Sequence, residues 1–117
     1  MNRRAQGTHY EEIAAAYLEA QGMQILERNF RCRSGEIDLI AADGDCLVFI
    51  EVKYRSNDHC GAPEAAVTPG KQRTIRRVAE YFLVRTGCSP DTICRFDVAA
   101  IRGDGTVCHY VNAFGGL

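Results

Sequence analysis

The sequence of 117 residues predicts an α/β fold in which helices flank a mixed β-sheet, with elements in the order α-β-β-β-α-β-β. Two segments repeat apolar residues at spacings of three and four, which is the pattern of a helix with one buried face. Between two of the apolar runs that indicate strands, Asp43-Gly44 is a strong hairpin signal. Because a helix separates the third and fourth strands, it is expected to cross over the sheet. We expect a single domain spanning residues 1–117, built in two or three layers.

The first helix is predicted from Thr8 to about Gln21, where Gly22 ends it. At about 100° per residue, Glu12 falls opposite the apolar stripe, whereas Glu11 falls at its edge and can look toward the sheet. The stripe consists of Tyr10, Ile13, Ala14, Tyr17 and Leu18.

The remaining elements follow from turn and capping signals. The second helix is predicted to begin with Thr68 as its N-cap and Pro69 at its first position, and to end at Gly87. Between the third strand and this helix we expect an irregular loop at residues 55–67 with a helical turn at 63–66. Strands are expected at residues 23–32, 35–42, 46–54, 91–101 and 106–113.

Composition and charge narrow the class of protein. With 46% hydrophobic and 25% charged residues, the chain belongs with soluble globular domains rather than disordered ones. No apolar run approaches the ~20 residues of a membrane span, and no apolar segment follows Arg3 and Arg4 as it would in a secretory signal. The net charge of −1 lacks the basic excess of many duplex-DNA binders, so a nucleic-acid role requires a local basic surface.

The cysteines favour an intracellular protein. None of them forms the close C-x-x-C pair that marks zinc or redox sites, and several lie inside apolar runs. We therefore expect six reduced thiols in a cytoplasmic protein that does not associate with a membrane. The six are Cys32, Cys46, Cys60, Cys88, Cys94 and Cys108.

Charged residues interrupt the second and third predicted strands. Alternation places Asp38 with Glu36 and Ile40 on one face of the second strand, and Ile37 with Leu39 on the other. In the third strand Phe49, Glu51 and Lys53 share a face. A turn centred on Asp43-Gly44 sets Glu36 opposite Glu51, and a turn centred one residue later sets Asp38 opposite Glu51. Both registers gather the acidic groups and Lys53 on the same side of the sheet.

Such a cluster has two interpretations. Adjacent carboxylates repel each other and are costly to bury, and a divalent cation such as Mg²⁺ removes that repulsion by binding their oxygens. With Lys53 to orient or deprotonate a water, or to stabilise charge on a phosphorane, the set suits metal-assisted hydrolysis of a phosphodiester. The alternative is a solvated sheet face that carries cross-strand charge pairs.

Four segments give the chain a resemblance that covers roughly residues 7 to 114. They are "AAAYLEAQGMQILERNFR", "GEIDLIAADGDCLVFIEVKYR", "AVTPGKQ" and "CRFDVAAI". In these segments the chain resembles the YraN (UPF0102) family of uncharacterised bacterial proteins. It is similar more widely to the PD-(D/E)XK nuclease superfamily, with its restriction-endonuclease-like (tRNA endonuclease-like) fold, and to archaeal Holliday-junction resolvases in size and element order.

The resemblance implies a function and a set of site residues. It implies a metal-dependent endonuclease that hydrolyses phosphodiester bonds in DNA, including branched or repair intermediates, as a monomer or a homodimer. Asp38 and Glu51 would bind Mg²⁺ or Mn²⁺, and Lys53 would be the catalytic lysine. Glu11 would help to hold the metal-bound water. A non-catalytic nucleic-acid-binding module of the same fold, or a protein-interaction domain, remains an alternative.

The second helix carries the best candidate for a nucleic-acid-binding surface. Lys71 and Gln72 fall toward the sheet in its first turn, and related nucleases often place a polar residue there near the scissile phosphate. The residues expected to contact phosphates on the outer face are Arg73, Arg76 and Arg77, with Arg31, Arg33 and Arg55 able to extend the surface. An ordinary solvated helix is the alternative. Arg95 and Asp97, in a predicted central strand, are expected to form a buried ion pair or structural hydrogen bonds.

Overall fold

The computed structural model describes the backbone of residues 3–55 and 67–116, and the side chains of all of these except residues 3–6. The elements, numbered in chain order, are α1 (Arg3–Ala20), β1 (Gln24–Cys32), β2 (Gly35–Asp43), β3 (Cys46–Arg55), α2 (Pro69–Arg85), β4 (Ile93–Arg102) and β5 (Val107–Phe114). The predicted α/β fold class and its α-β-β-β-α-β-β order are confirmed, and the arrangement is compatible with a restriction-endonuclease-like fold. The helical turn predicted at 63–66 lies outside the described residues.

The five strands form one mixed sheet in the order β1-β2-β3-β4-β5. Only β3 and β4 are parallel, and α2 lies between them in the chain, as a crossover requires. In the β2–β3 hairpin Asp43 pairs with Cys46, so the turn residues are Gly44 and Asp45. Gly44 has φ +59°, a conformation that glycine adopts without strain. The second of the two registers considered above is therefore correct, and the register with Glu36 opposite Glu51 is wrong.

The helices cover opposite faces of the sheet, which makes three layers. On one face the apolar stripe of α1, including Ala14 and Leu18, packs on β-sheet residues such as Ile50. On the other face Val78 and Phe82 of α2 pack on Phe49 and its neighbours. Thr68 caps α2 by accepting a hydrogen bond from the Lys71 N–H, and Pro69 occupies the first turn, as predicted.

Strict alternation along β2 breaks at Asp38. Ile37 and Ile40 both belong to the core under α2, although residues three apart in a regular strand face opposite ways, while Leu39 belongs to the core under α1. The predicted common face of Ile37 and Leu39 is therefore wrong. Asn29 of β1 stands opposite the break with φ +52°, and no Asn29–Asp38 pair forms in the β1–β2 ladder. A local irregularity in both strands re-aims the side chains, as a bulge does.

An ion pair between half-buried Arg95 and buried Asp97 lies on β4, next to β5. Asp97 is fully buried and accepts hydrogen bonds from the Arg95 guanidinium, from the Asn112 N–H and from His109, whose Nε2 lies 2.7 Å from Asp97 Oδ2. Arg95 also bridges to Asp43 at 3.0 Å. The predicted Arg95–Asp97 pair is confirmed.

The thiols differ in part from expectation. Cys32, Cys46, Cys88 and Cys94 are free, while Cys108 is disulfide-bonded, so the expectation of six reduced thiols is wrong at Cys108. No helix in residues 3–55 and 67–116 is long and apolar enough to cross a membrane.

The close approach of β2 to α2 yields a test of the fold. Gly35 has φ +148°, and a Cβ built there would lie 2.7 Å from Thr74 Cγ2. Gly35→Ala should therefore lower the free energy of unfolding by about 2 kcal/mol, through backbone strain and crowding together. Thr74→Ser removes that methyl group but keeps a hydroxyl able to bond the Gly70 carbonyl, so it should restore part of the loss in urea denaturation.

Gly44→Ala is the matched control for this test. Its φ is also positive, but no atom crowds its Cβ position. Thr74→Ser should leave the cost of Gly44→Ala unchanged, and an equal rescue of both variants would contradict the proposed contact.

Candidate active site

A polar cavity of about 280 Å³ opens where β2 begins and β3 ends. Its walls come from the N-terminal half of α1, from β2 and β3, and from the first turn of α2. The acidic and basic residues that line it are Glu11, Glu36, Asp38, Glu51 and Lys71. Three of the residues predicted as catalytic or metal-binding, Glu11, Asp38 and Glu51, are thus brought together in one place.

The ends of two strands hold the central carboxylates. The last β2–β3 backbone pair is Leu39 with Ile50, and beyond it the Asp38 side chain takes over: its Oδ2 accepts the Val52 N–H at 2.8 Å. The same bond fixes the orientation of the Asp38 carboxylate beside Glu51, which is only 7% exposed. The end of the ladder therefore builds the site, because a side chain replaces a main-chain acceptor there.

Lys71 is the basic residue at the cavity wall. Its Nζ lies 3.8 Å from Glu51 Oε1, and its side chain is 41% exposed. The cap at Thr68 positions this first turn of α2 against the sheet. Lys53, the predicted catalytic lysine, is half-buried and does not line the cavity, although its charge lowers the pKa of Glu51. The prediction that Lys71 points toward the sheet is borne out.

The two central carboxyl groups bind protons more tightly than ordinary carboxyls. Burial raises the pKa of Glu51 to about 7, and the charge of Asp38 adds to the rise, while Lys71 and Lys53 oppose it. Burial likewise raises the pKa of Asp38 to about 6, against the Val52 hydrogen bond, with Glu11 and Glu36 raising it further. At neutral pH the pair is therefore poised between protonation and neutralisation by a cation.

The donors available to a cation in this cavity are carboxylates, chiefly Asp38 and Glu51. Across the described residues, no group of three or more His, Cys, Asp or Glu side chains is arranged to hold a metal ion, so Glu11 does not complete a triad with Asp38 and Glu51. Mg²⁺ usually keeps several waters and takes one or two carboxylates. The mutually repelling pair of half-buried Asp38 and buried Glu51 fits such an ion.

Two stacked tyrosines lie at the rim of the cavity, and neither of them was predicted from the sequence as a site residue. The rings of Tyr10 and Tyr54 lie 4.6 Å apart at 19°, and both residues line the cavity. Partial burial raises the pKa of Tyr10, and its charge interaction and hydrogen bond with Tyr54 add to the rise. Their positions next to Glu11 and Lys53 in the chain were the available signal.

Only some of the residues predicted to bind nucleic acid are exposed. Arg73 and Arg77 are exposed on α2. Arg76 instead donates to the Gly115 carbonyl at 3.2 Å and lies over the Phe114 ring. Gln72 Nε2 donates to the Val67 carbonyl, so its amide is already engaged.

Arg55, the other predicted contact, is half-buried at the end of β3. Its Nε and Nη2 are buried and have no hydrogen-bond partner among the residues that the structure describes. Its guanidinium thus differs from the solvent-facing groups of Arg73 and Arg77, and a phosphate contact by Arg55 remains a prediction.

Comparison with known sequences gives a consistent family. The profile described as "Uncharacterised protein family UPF0102" matches residues 10–101, a range that contains Glu11, Asp38, Glu51 and Lys53. A UPF0102 protein of Lachnoclostridium phytofermentans is 50% identical over 101 residues, covering 86% of each chain. Those of Geobacter sulfurreducens and Nitrosomonas eutropha are 52% identical over 95 residues and 44% identical over 108 residues, covering 81% and 92% of this chain and 73% and 91% of their own.

The raised pKa values predict how stability depends on pH. Between about pH 4 and the folded pKa values near 6 and 7, the native state holds protons that the unfolded chain has released, so stability falls as pH rises. In EDTA, Glu51→Gln should therefore be more stable than the wild type at about pH 8, by on the order of 2 kcal/mol, with the gap closing toward about pH 5.

Glu12→Gln serves as the control, because Glu12 is exposed on the outer side of α1. It should follow the wild-type curve at every pH in urea denaturation. A Glu51→Gln protein that is no more stable than the wild type at the higher pH would show that the pair is not strained.

Proposed function

The chain belongs to the uncharacterised protein family UPF0102, and we propose that it is a metal-dependent endonuclease that hydrolyses phosphodiester bonds in DNA. The observation that carries the proposal is a pair of carboxylates, half-buried Asp38 and buried Glu51, in one cavity with an amine beside them. Perturbed pKa values in a cleft mark candidate functional sites. Asp38, Glu51 and Lys53 also match the motif of the PD-(D/E)XK superfamily, which supports the assignment by resemblance.

The proposed cofactor is Mg²⁺ or Mn²⁺, held by Asp38 and Glu51. A bound divalent ion supplies a polarised phosphoryl oxygen and a more acidic water. Asp38 is kept in orientation by the Val52 N–H. Glu11 lines the same cavity and would accept a hydrogen bond from a water bound to the ion. Because burial and the Asp38 charge raise the pKa of Glu51 to about 7, a bound cation would favour its ionised form at neutral pH.

Two lysines would share the task of stabilising negative charge. Lys53 is the predicted catalytic lysine, and it acts on Glu51 through its charge. Lys71 lines the cavity, with its Nζ 3.8 Å from Glu51 Oε1, and it would contact a non-bridging phosphate oxygen. We expect loss of Lys71 to weaken both substrate binding and turnover.

The substrate is proposed to be DNA, including branched or repair intermediates, which implies a cytoplasmic location. Arg73 and Arg77 offer exposed positive charge on the helix that also carries Lys71. Phosphate contacts of this kind position a strand without reading its sequence. The enzyme would act as a monomer or as a homodimer.

A non-catalytic nucleic-acid-binding module is the second candidate. It is favoured by the lack of a three-ligand metal group in the described part of the chain. In that case Arg73 and Arg77 would carry the binding, and loss of the carboxylates would not weaken it.

Metal binding is testable without any activity. If an ion binds the native state through Asp38 and Glu51, millimolar Mn²⁺ near pH 8 should raise the melting temperature by about 5 °C or more. Asp38→Asn should abolish the shift, while Glu12→Gln should retain it. An equal shift in both variants would place the ion elsewhere.

Activity is the direct test of the proposed function. With Mg²⁺ or Mn²⁺, the wild type should cleave at least one of a panel of single-stranded, duplex, flapped and four-way-junction DNAs, and EDTA should stop it. Glu51→Gln should lower the rate by about 100-fold or more, since it removes a ligand of the proposed ion. Glu12→Gln should be unaffected, and purified protein that cleaves nothing in the panel argues for the binding module.

A further inference from the structure

We propose that Tyr10 and Tyr54 form a stacking platform for an unpaired nucleobase beside the carboxylate cavity, so that the substrate is single-stranded or locally unpaired DNA. The inference rests on the proposed function for its substrate class. It goes beyond that function because it names two binding residues and the kind of DNA that they accept.

Tyr54 is exposed where its strand is otherwise buried or half-buried. β3 lies in the middle of the sheet, and all five residues from Leu47 to Glu51 are buried. Tyr54 is the single exposed residue of this fully described strand, at 47%. A large aromatic ring left half open beside a polar cavity is a ready contact for another flat ring.

The ring is also held in place before any ligand arrives. It stacks on Tyr10, which projects from the apolar stripe of α1, and its hydroxyl lies close to the backbone at Gly103, where an added Cβ would be 3.6 Å away. Aromatic side chains have few rotatable bonds, so a pre-ordered ring loses little entropy when a base stacks on it.

The position of the platform selects the state of the base. Tyr10 and Tyr54 line the same cavity as Asp38 and Glu51, so a nucleotide stacked there brings its own backbone to the carboxylates. Bases within a duplex are already stacked on both faces, and only an unpaired or extruded base has a free face to offer. Stacking on aromatic side chains tolerates any base, which suits a nuclease without sequence preference.

A purely structural role is the competing explanation. In that case the pair fastens α1 to β3, and a base never contacts it. The two roles are distinguished by what a substitution changes. A structural contact affects the free energy of unfolding, whereas a stacking platform affects the affinity for single-stranded DNA.

The experiment measures DNA binding by the Glu51→Gln protein in the presence of Mg²⁺. This variant removes one repelling charge, and because its cleavage rate is expected to be low, the probe should stay intact. The probe is a short single-stranded DNA with one 2-aminopurine, whose fluorescence reports stacking. The absence of tryptophan keeps the protein background low. We expect a fluorescence change on binding, and an affinity at least about tenfold above that for the same sequence as a duplex.

Substitutions then identify the platform. Tyr54→Ala should weaken single-strand binding by about tenfold or more, whereas Tyr54→Phe, which keeps the ring, should not. Tyr81→Ala is the matched control, since Tyr81 is equally exposed, at 45%, on α2 and outside the cavity. If Tyr54→Ala fails to fold, Tyr54→Leu keeps an apolar side chain without an aromatic face and should show the same loss.

The outcomes separate this inference from the proposed function. Loss of affinity in Tyr54→Ala, with a protein that cleaves no DNA, supports the platform and counts against the nuclease. Cleavage without single-strand preference, and with equal affinities for Tyr54→Ala and Tyr81→Ala, overturns the platform and leaves the nuclease standing. Absence of any binding to the single-stranded probe also overturns the platform.

Discussion

The repulsion between two neighbouring carboxyl groups, half-buried Asp38 and buried Glu51, is the constraint on which the site depends. Each raises the cost of ionising the other, and burial raises it further. A pair of apolar side chains at the same positions would avoid this cost, since buried charges are rarely the most stable filling of a protein interior. The fold retains the pair and supplies partial compensation, through the Val52 N–H to Asp38 and through Lys71 to Glu51. This remaining cost of ionisation is what the proposed divalent ion would relieve.

The irregularity in β2 connects this chemistry to the architecture. Up to Ile37 the strand packs toward α2, and Gly35 allows it to approach Thr74 closely. From Asp38 onward the alternation is reversed, with Leu39 under α1. The reversal falls at the residue whose side chain replaces the main chain as acceptor in the β2–β3 ladder.

Local signals predicted the elements, and tertiary contacts decided the rest. Thr68-Pro69 has a capping chemistry that acts within one turn, so the start of α2 was readable from neighbouring residues. The parity of the hairpin was also readable, because both turn registers keep Asp38 and Glu51 on one side. The choice between those registers was not, since it depends on the geometry of Gly44. The reversed side-chain alternation at Asp38 and the stacking of Tyr10 on Tyr54 depend on contacts between residues distant in the chain. The spacing of apolar residues along the sequence therefore could not predict them.

A second buried acid in the same sheet shows what a purely structural carboxylate requires. Burial alone would raise the pKa of Asp97, but hydrogen bonds from His109, Arg95 and the Asn112 N–H outweigh it and hold the pKa below its ordinary value. Both carboxylate oxygens of Asp97 thus have hydrogen-bond partners within the protein. Glu51, at almost the same burial, has one lysine at 3.8 Å and a like charge beside it. The chain therefore satisfies a buried carboxylate fully in one half of the sheet and leaves two under-compensated in the other. Because both lie in one fold, the contrast marks the Asp38–Glu51 cavity as the place where the proposed divalent ion would complete the charge balance.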